Sequence, residues 1–249
     1  MVTIAHAVCD ERGRKSGGLL GNQTQNLYNT TGELRFSEWY LSGGKRWDYV
    51  IRAKKKIQRI AIAAAACSAI RNPYIGYDQE YRNGILDDNN LGYNYPGDIK
   101  KHTACDCSSL VTACCRYARI HLASDVYTGN MKRRCEAVGA FKIYKSSKYT
   151  EMSSYLEDGD ILLREGHHAA IVVNTKHHMF RNLKMGCTGE DVIALQEELD
   201  QSIDANLMYD GEFGFKTDKA LRDYQTKYKL ASDGIMGPLT AAHMGFLWR

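Results

Sequence analysis

The sequence predicts an α+β protein in which a helix packs on an antiparallel sheet, followed by a small three-helix domain. Within residues 1–180 the helical patterns come first and the short apolar strand patterns afterwards, which is typical of the α+β class. After residue 181, a turn of the form Asp-Gly-x-x-Gly-x-x-Thr occurs twice between helical patterns. A chain of 249 residues is long enough for a medium domain and a small one. We therefore divide it into domains 1–180 and 181–249.

Composition indicates an ordinary soluble globular protein, with 44% apolar and 25% charged residues. The longest apolar run, Ile60 to Ile70, is too short to span a bilayer, so we expect a core helix and no stable membrane insertion. The N-terminus lacks a basic segment, a sustained apolar segment and a small-residue cleavage site. We therefore expect synthesis in the cytoplasm without a signal peptide and release by another agent.

The eight cysteines are expected to be mostly reduced thiols, since the chain is large and includes the adjacent pair Cys114-Cys115. They show no paired Cys-x-x-Cys spacing, so no structural metal and no cofactor are expected. No compact Asp-rich loop demands calcium, and calcium dependence stays open. Residues 1–180 are net basic and residues 181–249 net acidic, but the basic residues lack an aromatic-interleaved motif, so nucleic acid is not the expected partner.

The elements are predicted in chain order from periodicity and punctuation. Residues 1–48 are rich in glycine and polar residues and indicate a long irregular opening, anchored by Trp39 and Trp47. A helix is expected over 48–69, because Asn72-Pro73 stops it, and a loop over 74–98. The further expected elements are helices 106–121 and 128–137, the second ending at Gly139, and strands 141–144, 160–163 and 168–173.

The stretch Ala104-Cys105-Asp106-Cys107-Ser108-Ser109-Leu110-Val111 turns a polar loop into a helix, with Asp106 or Ser108 near the cap. Backbone N–H groups at a helix start carry the positive end of the macrodipole, so we expect a lowered pKa and nucleophilic character for the Cys107 thiol. A histidine on a distant strand would complete a Cys–His hydrolase. His168 is preferred to His167, because it lies in phase with Ala170 and Val172.

A third residue orients the imidazole in such sites. A hairpin after Val173 would bring Asn174, His177 or His178 back beside His168. A two-residue turn puts His177 in phase and a three-residue turn puts His178 in phase. We take His178, and the alternative is a solvated histidine pair.

The catalytic residues resemble the NlpC/P60 and CHAP group of papain-like cysteine peptidases and amidases. The motif D-C-S-G-L-V of that group corresponds to Asp106–Val111, with Ser109 in place of glycine, and its later strands correspond to Gly159-Asp160 and to His168–Ile171. The opening loop and the stretch Ser124–Asn130 also resemble phage endolysins of this group. The resemblance implies a papain-like fold and hydrolysis of an amide bond through a thioester.

The segment Asn72–Gln79 resembles the tyrosine-bearing segment upstream of the cysteine in the same group. The resemblance implies that Tyr77 or Gln79 donates a hydrogen bond to the reacting carbonyl oxygen. The backbone N–H of Cys107, at the helix start, is the first expected donor.

Residues Leu183–Met244 resemble the type 1 peptidoglycan-binding domain, which has three helices and accompanies wall-degrading domains. The matching residues run from Gly186 to Leu199, from Asp210 to Gln225 and from Asp233 to Thr240. The resemblance implies wall binding near the two turns, with Asp210, Gly211, Asp233 and Gly234 as substrate-binding residues.

The sequence thus predicts a monomeric, phage-type endolysin that uses Cys107, His168 and His178 to cut an amide bond of bacterial peptidoglycan. We expect a stem-peptide endopeptidase. An N-acetylmuramoyl-L-alanine amidase with the same site and a catalytically dead wall-binding protein are the alternatives. A zinc amidase using His167, His168, His177 or His178 is disfavoured, because adjacent histidines on a strand cannot all face one metal.

Overall fold

The structure is a computed structural model that describes residues 2–21, 30–41, 44–87, 95–173, 178–179, 181–244 and 246–248. The chain forms two compact units, residues 1–175 and residues 176–249. No helix in the described ranges is long and apolar enough to cross a membrane.

The first unit is built on a six-stranded antiparallel sheet. The strands are β1 (Thr3–Ala7), β2 (Leu34–Glu38), β3 (Tyr49–Ala53), β6 (Phe141–Tyr144), β7 (Ile161–Arg164) and β8 (His168–Val173). Their spatial order is β2-β1-β8-β7-β3-β6. A separate parallel pair consists of β4 (Ile75–Tyr77) and β5 (Thr103–Cys105). The mixed α/β class with an antiparallel sheet is therefore confirmed.

Four α-helices accompany this sheet in the part of the unit that the structure describes. They are α1 (Lys56–Arg71), α2 (Cys107–Tyr117), α3 (Met131–Val138) and α4 (Ser147–Thr150). α1 and α2 pack on each other and on β8 and carry mostly buried residues. The third helix ends at Gly139 in the left-handed conformation, as predicted, since a residue without a Cβ takes φ 71° at no steric cost.

Two sequence predictions for the N-terminal third are wrong. The opening contains β1 and β2, because their apolar residues are buried in the sheet, although glycine-rich loop signals surround them. Residues 49–53 form a central strand instead of the start of the helix, and α1 begins only at Lys56. The run Tyr49-Val50-Ile51-Arg52-Ala53 is buried on both faces, so it shows no alternation that would separate it from a helix.

The Gly159-Asp160 motif fixes the entry into the β7–β8 hairpin. Gly159 has φ +78°, and a Cβ there would lie 2.0 Å from the Arg59 carbonyl oxygen. Asp160 is fully buried and accepts two hydrogen bonds of 2.7 Å from Arg52 on β3. A buried bidentate pair of this kind sets the strand's position, because either charge alone would be costly to bury.

The described residues of the second unit form three helices, α5 (Glu190–Ile203), α6 (Phe215–Lys227) and α7 (Pro238–Met244). Two short strands, β9 (His178–Met179) and β10 (Leu247–Trp248), pair in parallel. The three predicted helices are thus present. They enclose an apolar core formed by Leu183, Val192, Leu195, Leu199, Phe213, Ala220, Leu221, Tyr224, Met236, Ala241, Met244 and Phe246.

A buried glutamine organises each repeated turn. Gln196 donates to Asp210 Oδ1, the Glu212 carbonyl and Thr217 Oγ1, and accepts from Gly211 N–H. Gln225 makes the same four contacts in the second turn, to Asp233, Ile235, Thr240 and Gly234. One amide thus satisfies the polar groups of a whole turn.

We expect Gln225→Leu to lower the free energy of unfolding of the second unit by about 2–4 kcal/mol, because several buried polar groups lose their partners. Hydrogen exchange of the α6 amides in the full chain measures the effect. The exposed Asp223→Asn on the same helix is the control, with a change below about 0.5 kcal/mol. Equal protection in both variants would contradict a structural role for the glutamine.

Candidate active site

The N-terminus of α2 is held by its cap residue, Asp106. The carboxylate accepts from the backbone N–H groups of Ser108 at 2.9 Å and Ser109 at 2.7 Å. In return, Ser109 Oγ accepts from the Asp106 N–H, which completes a capping box. Ser109 stands where the resembling group has glycine, and the capping box gives its hydroxyl a structural role.

Arg82, which lies in the loop before α2, also stabilises the Asp106 cap. Its Nη1 lies 3.2 Å from Asp106 Oδ2 and donates to Ser108 Oγ and to the carbonyl of Val126. The guanidinium thus joins its own loop and the segment of Val126 to the turn that carries Cys107. Nothing in the sequence singled out Arg82, because the loop between residues 78 and 106 shows no periodic pattern.

Cys107 is the first residue of α2 and is 8% exposed. Its sulfur lies against the backbone N–H groups of Ala169, Cys107 and Ser108, which lower the thiol pKa. Burial and the Asp106 carboxylate act more strongly and raise the pKa to about 12. The expected lowering of the pKa is therefore wrong for the substrate-free site, since loss of hydration outweighs the helix start.

The Ala169 N–H that acts on the Cys107 sulfur belongs to the second residue of strand β8, which begins at His168. His168 Nε2 lies 2.9 Å from His6 Nδ1, and His6 Nε2 lies 2.9 Å from Ser37 Oγ. Because β1 pairs with β8 on one side and β2 on the other, the three side chains share one face of the sheet. The chain His168–His6–Ser37 therefore runs across three neighbouring strands.

Both imidazoles are held neutral. Burial lowers the pKa of His6 to about 3 and that of His168 to about 4. Each imidazole also faces positive charge, since Arg35 acts on both rings and Lys15 acts on His168. The Nε2 atom of His168 faces His6, so its Nδ1 atom is not engaged in this contact.

Aromatic side chains surround the hydrogen-bonded series His168–His6–Ser37. Trp47 is fully buried, and its ring centroid lies 6.2 Å from that of His168. Tyr40 lies 6.1 Å from His6 and 5.9 Å from Trp47, ring to ring. Trp47 donates from Nε1 to the Tyr40 carbonyl, which fixes the pair. The prediction that Trp47 anchors the opening segment is consistent with its burial.

Of the predicted carbonyl-binding residues, Tyr77 ends strand β4 and Gln79 follows two residues later. Tyr77 pairs with Cys105 in the β4–β5 ladder, and its hydroxyl pKa is raised by burial and by Cys107. Gln79 is exposed and donates from Nε2 to the Tyr77 hydroxyl at 3.2 Å. Tyr77 is thus close to the sulfur, and Gln79 acts on it through Tyr77.

The predicted hairpin after β8 is wrong. β8 already has β1 and β7 on its two sides, so no returning strand can pair with it. His178 lies in β9, which pairs with β10 in the second unit, and Asn174 and His177 lie outside the described residues. His167 is exposed at the β7–β8 turn. His6 is the residue that contacts His168.

The predicted wall-binding residues lie in the glutamine-organised turns. The Oδ1 atoms of Asp210 and Asp233 accept from the turn backbone as well as from glutamine. Gly211 and Gly234 have φ +73° and +68°, which a side chain would strain. These four residues therefore have structural contacts, and a role in binding stays a prediction. Among the described residues, no group of three His, Cys, Asp or Glu side chains is placed to hold a metal ion.

Residues 4–179 match the family described as the endolysin-like domain. The chain belongs to the endolysin-like domain family. Residues 188–244 of this endolysin-like protein match the family described as a putative peptidoglycan binding domain. The two matches fall on the first and second units respectively.

Curated relatives are similar to a short part of this endolysin-like chain. One is the N-acetylmuramoyl-L-alanine amidase CwlM of Mycobacterium tuberculosis, 44% identical over 59 residues, which are 24% of this chain and 14% of that protein. Another is a spore cortex-lytic enzyme of Halalkalibacterium halodurans, 37% identical over 68 residues, which are 26% of this chain and 21% of the enzyme. The chain thus spans less than a quarter of the length of these two relatives.

Solved structures similar to the endolysin-like chain include the SleB N-terminal domain, at 36% identity and a TM-score of 0.26, covering 27% of this chain and 92% of that one. A peptidoglycan-binding protein from Clostridioides difficile is 29% identical with a TM-score of 0.25, covering 34% of this chain and 49% of its own.

The buried imidazoles predict a loss of stability in acid. His6 and His168 bind protons near pH 6.5 when unfolded but only near pH 3 to 4 when folded, so their contribution is complete above pH 6.5 and falls as the pH drops towards 4. Glu33, whose pKa burial raises to about 7, acts in the opposite direction. The histidine contribution is measured by thermal unfolding of the wild type and of His6→Phe at pH 7.5 and 5.0. The fall in melting temperature between the two pH values should be smaller in His6→Phe by on the order of 5 °C. The exposed His121→Phe is the control, and equal shifts in both variants would contradict this account.

Proposed function

We propose that this protein is a peptidoglycan hydrolase of the endolysin type, in which Cys107 and His168 cut an amide bond and the second unit binds the wall. The observation that carries the proposal is the Cys107 sulfur at a capped helix start, against Ala169 N–H and beside the His168–His6–Ser37 chain. A Cys and a His presented in this way form a nucleophile and its base. Membership of the endolysin-like domain family supports the same conclusion.

The first step begins from a neutral thiol and a neutral imidazole. The sulfur attacks the amide carbon while its proton moves to Nδ1 of His168, which becomes an imidazolium. The Nε2–H of His168 donates to His6 Nδ1, so the proton of His6 lies on Nε2 and is donated to Ser37 Oγ. Because both hydrogen bonds are donated in the same direction, Nδ1 of His168 stays free to accept the thiol proton. His6 and Ser37 are therefore positioning residues.

The tetrahedral intermediate carries its charge on the former carbonyl oxygen. The Cys107 N–H, the first of α2, is not engaged by the Asp106 cap and supports this oxygen. The Tyr77 hydroxyl is the proposed second donor. His168 then protonates the leaving amine as the carbon–nitrogen bond breaks, which yields a thioester. Water, deprotonated by His168, hydrolyses the thioester and restores the thiol.

The papain-like NlpC/P60 assignment is part of this proposal. It is supported by the order of parts, which is a nucleophile at a helix start followed by a histidine at the start of an antiparallel strand. A stem-peptide endopeptidase is the proposed specificity. An N-acetylmuramoyl-L-alanine amidase uses the same residues, and CwlM, the relative that is 44% identical over 59 residues, carries that name.

Digestion of purified bacterial walls by the full chain tests the function, with the released fragments identified by mass spectrometry. New peptide termini within the stem are the expected result, whereas free lactyl groups and intact stem peptides would identify an amidase. Walls that stay intact while the protein sediments with them would support the binding protein without catalysis.

A further inference from the structure

We propose that Arg35, assisted by Lys15, forms a carboxylate-binding subsite beside Cys107 and His168, so that the preferred substrates carry a free carboxylate close to the scissile amide. This inference rests on the proposed function, because it names the chemistry of the substrate at the same site.

Arg35 lies at the catalytic face of the sheet. In the ladder between β1 and β2 it is the direct partner of His6, and Ser37 follows two residues later on the same face. Side chains of directly paired residues lie about 5 Å apart at their Cβ atoms. The guanidinium of Arg35 is therefore a neighbour of the imidazole chain that serves the nucleophile.

The guanidinium of Arg35 makes no hydrogen bond or ion pair with any residue in the described ranges, although Arg35 is half-buried. Two other arginines of this unit are paired with a carboxylate, Arg52 with Asp160 and Arg82 with Asp106. A half-buried cation without a partner loses hydration and gains no interaction in exchange. An anionic ligand would neutralise its charge.

Lys15 brings a second cation to the same place. Its backbone carbonyl accepts from the Gln79 N–H at 2.9 Å, and the nearby Gly17 N–H donates to the buried Asp78 carboxylate. These bonds dock the opening loop on the strand segment that carries Tyr77. Both Lys15 and Arg35 act on His168 and lower its pKa, which places the two charges within electrostatic reach of the catalytic base.

A carboxylate satisfies this arrangement better than a neutral group does. A guanidinium binds both carboxylate oxygens in parallel, and an ammonium adds a point charge. Peptidoglycan stem peptides present free carboxylates, which some walls convert to carboxamides. A carboxamide would leave Arg35 without charge compensation, so the subsite discriminates between the two forms.

The test uses two sets of soluble muropeptides that differ in one group, the α-carboxylate of the second stem residue, present either free or as a carboxamide. We expect the wild-type chain to cut the free form with a kcat/KM about 10- to 100-fold higher. Arg35→Gln should remove most of this preference and raise KM for the free form. Arg35→Lys should retain an intermediate preference, and Lys15→Gln should lose a smaller part of it.

Binding to the Cys107→Ala chain separates the subsite from the chemistry. Calorimetry should give a Kd for the free form about 10-fold or more below that for the carboxamide, and the difference should vanish in Cys107→Ala with Arg35→Gln. Binding without this preference would overturn the subsite even if the wild type digests walls. A binding preference in a chain that cuts nothing would keep the subsite and overturn the hydrolase. Arg133→Gln, an exposed charge on α3, is the control for net charge and should change neither value.

Discussion

Cys107→Ala is expected to reduce wall digestion by at least ~10³-fold, because no other group replaces the sulfur as the nucleophile. The change removes one small buried atom at a helix start whose cap, Asp106, stays in place. We therefore expect a folded protein that sediments with walls like the wild type. Release of soluble fragments, followed by mass spectrometry, measures the loss.

Cys187→Ala is the matched control, because this thiol lies in the second unit and is only half-buried. It should leave digestion unchanged. Equal digestion by the wild type and Cys107→Ala would exclude the cysteine mechanism and favour the metal-dependent alternative, which chelators would then inhibit.

His6→Phe is expected to lower kcat by about 10²–10⁴-fold with little change in KM, since His168 then loses the acceptor that fixes its tautomer. The aromatic ring keeps much of the packing against Tyr40. His6→Asn restores an acceptor and should recover part of the activity. Rates are compared on soluble muropeptides.

A positioning role for His6 also predicts altered thiol chemistry. The rate of Cys107 alkylation, followed against pH, should change in His6→Phe, whereas a purely structural role would leave the profile of the folded protein in place. His178→Ala, which removes the residue that the sequence favoured, should keep wild-type kcat. Loss of kcat in His178→Ala with full activity in His6→Phe would reverse this assignment.

The positions of Cys107 and His168, the proposed nucleophile and base, were predictable, because each lies at the start of a regular element. Asp106 and Ser109 indicate a helix start at Cys107, and the run after His168 indicates a strand. The contact between His168 and His6 was not predictable in the same way. A return strand after β8 is the commonest neighbour in sequence, but the β1 strand occupies that position in space. The pairing of β1 with β8 joins distant parts of the sequence, and no local sequence pattern indicates it.

His6 is also a weak signal by itself. It lies in the run Thr3-Ile4-Ala5-His6-Ala7, where both faces are buried and alternation is absent. The position of Arg35 was not predictable either, because a basic residue in a short strand usually faces solvent. Only the register of β1 with its two neighbours brings these residues to one face.

The repeated turns of the second unit were predictable from their glycine and threonine positions, whereas the two glutamines were not assigned a role. Gln196 and Gln225 are each placed on the helix before a turn and read as ordinary polar helix residues. Their common function is visible only in the hydrogen bonds, which are the same in both copies.

The sheet order also has a consequence for synthesis. His6 and His168 are separated by 162 residues, yet they share a hydrogen bond. A chain that grows from its N-terminus can pair β1 with β2 early, but the other edge of β1 stays open until β8 has left the ribosome. His168, the base of the proposed mechanism, is absent until that moment. On that mechanism, translation of the first unit has to be almost complete before the nascent chain can act on an amide, and a chain truncated before residue 168 should be inactive.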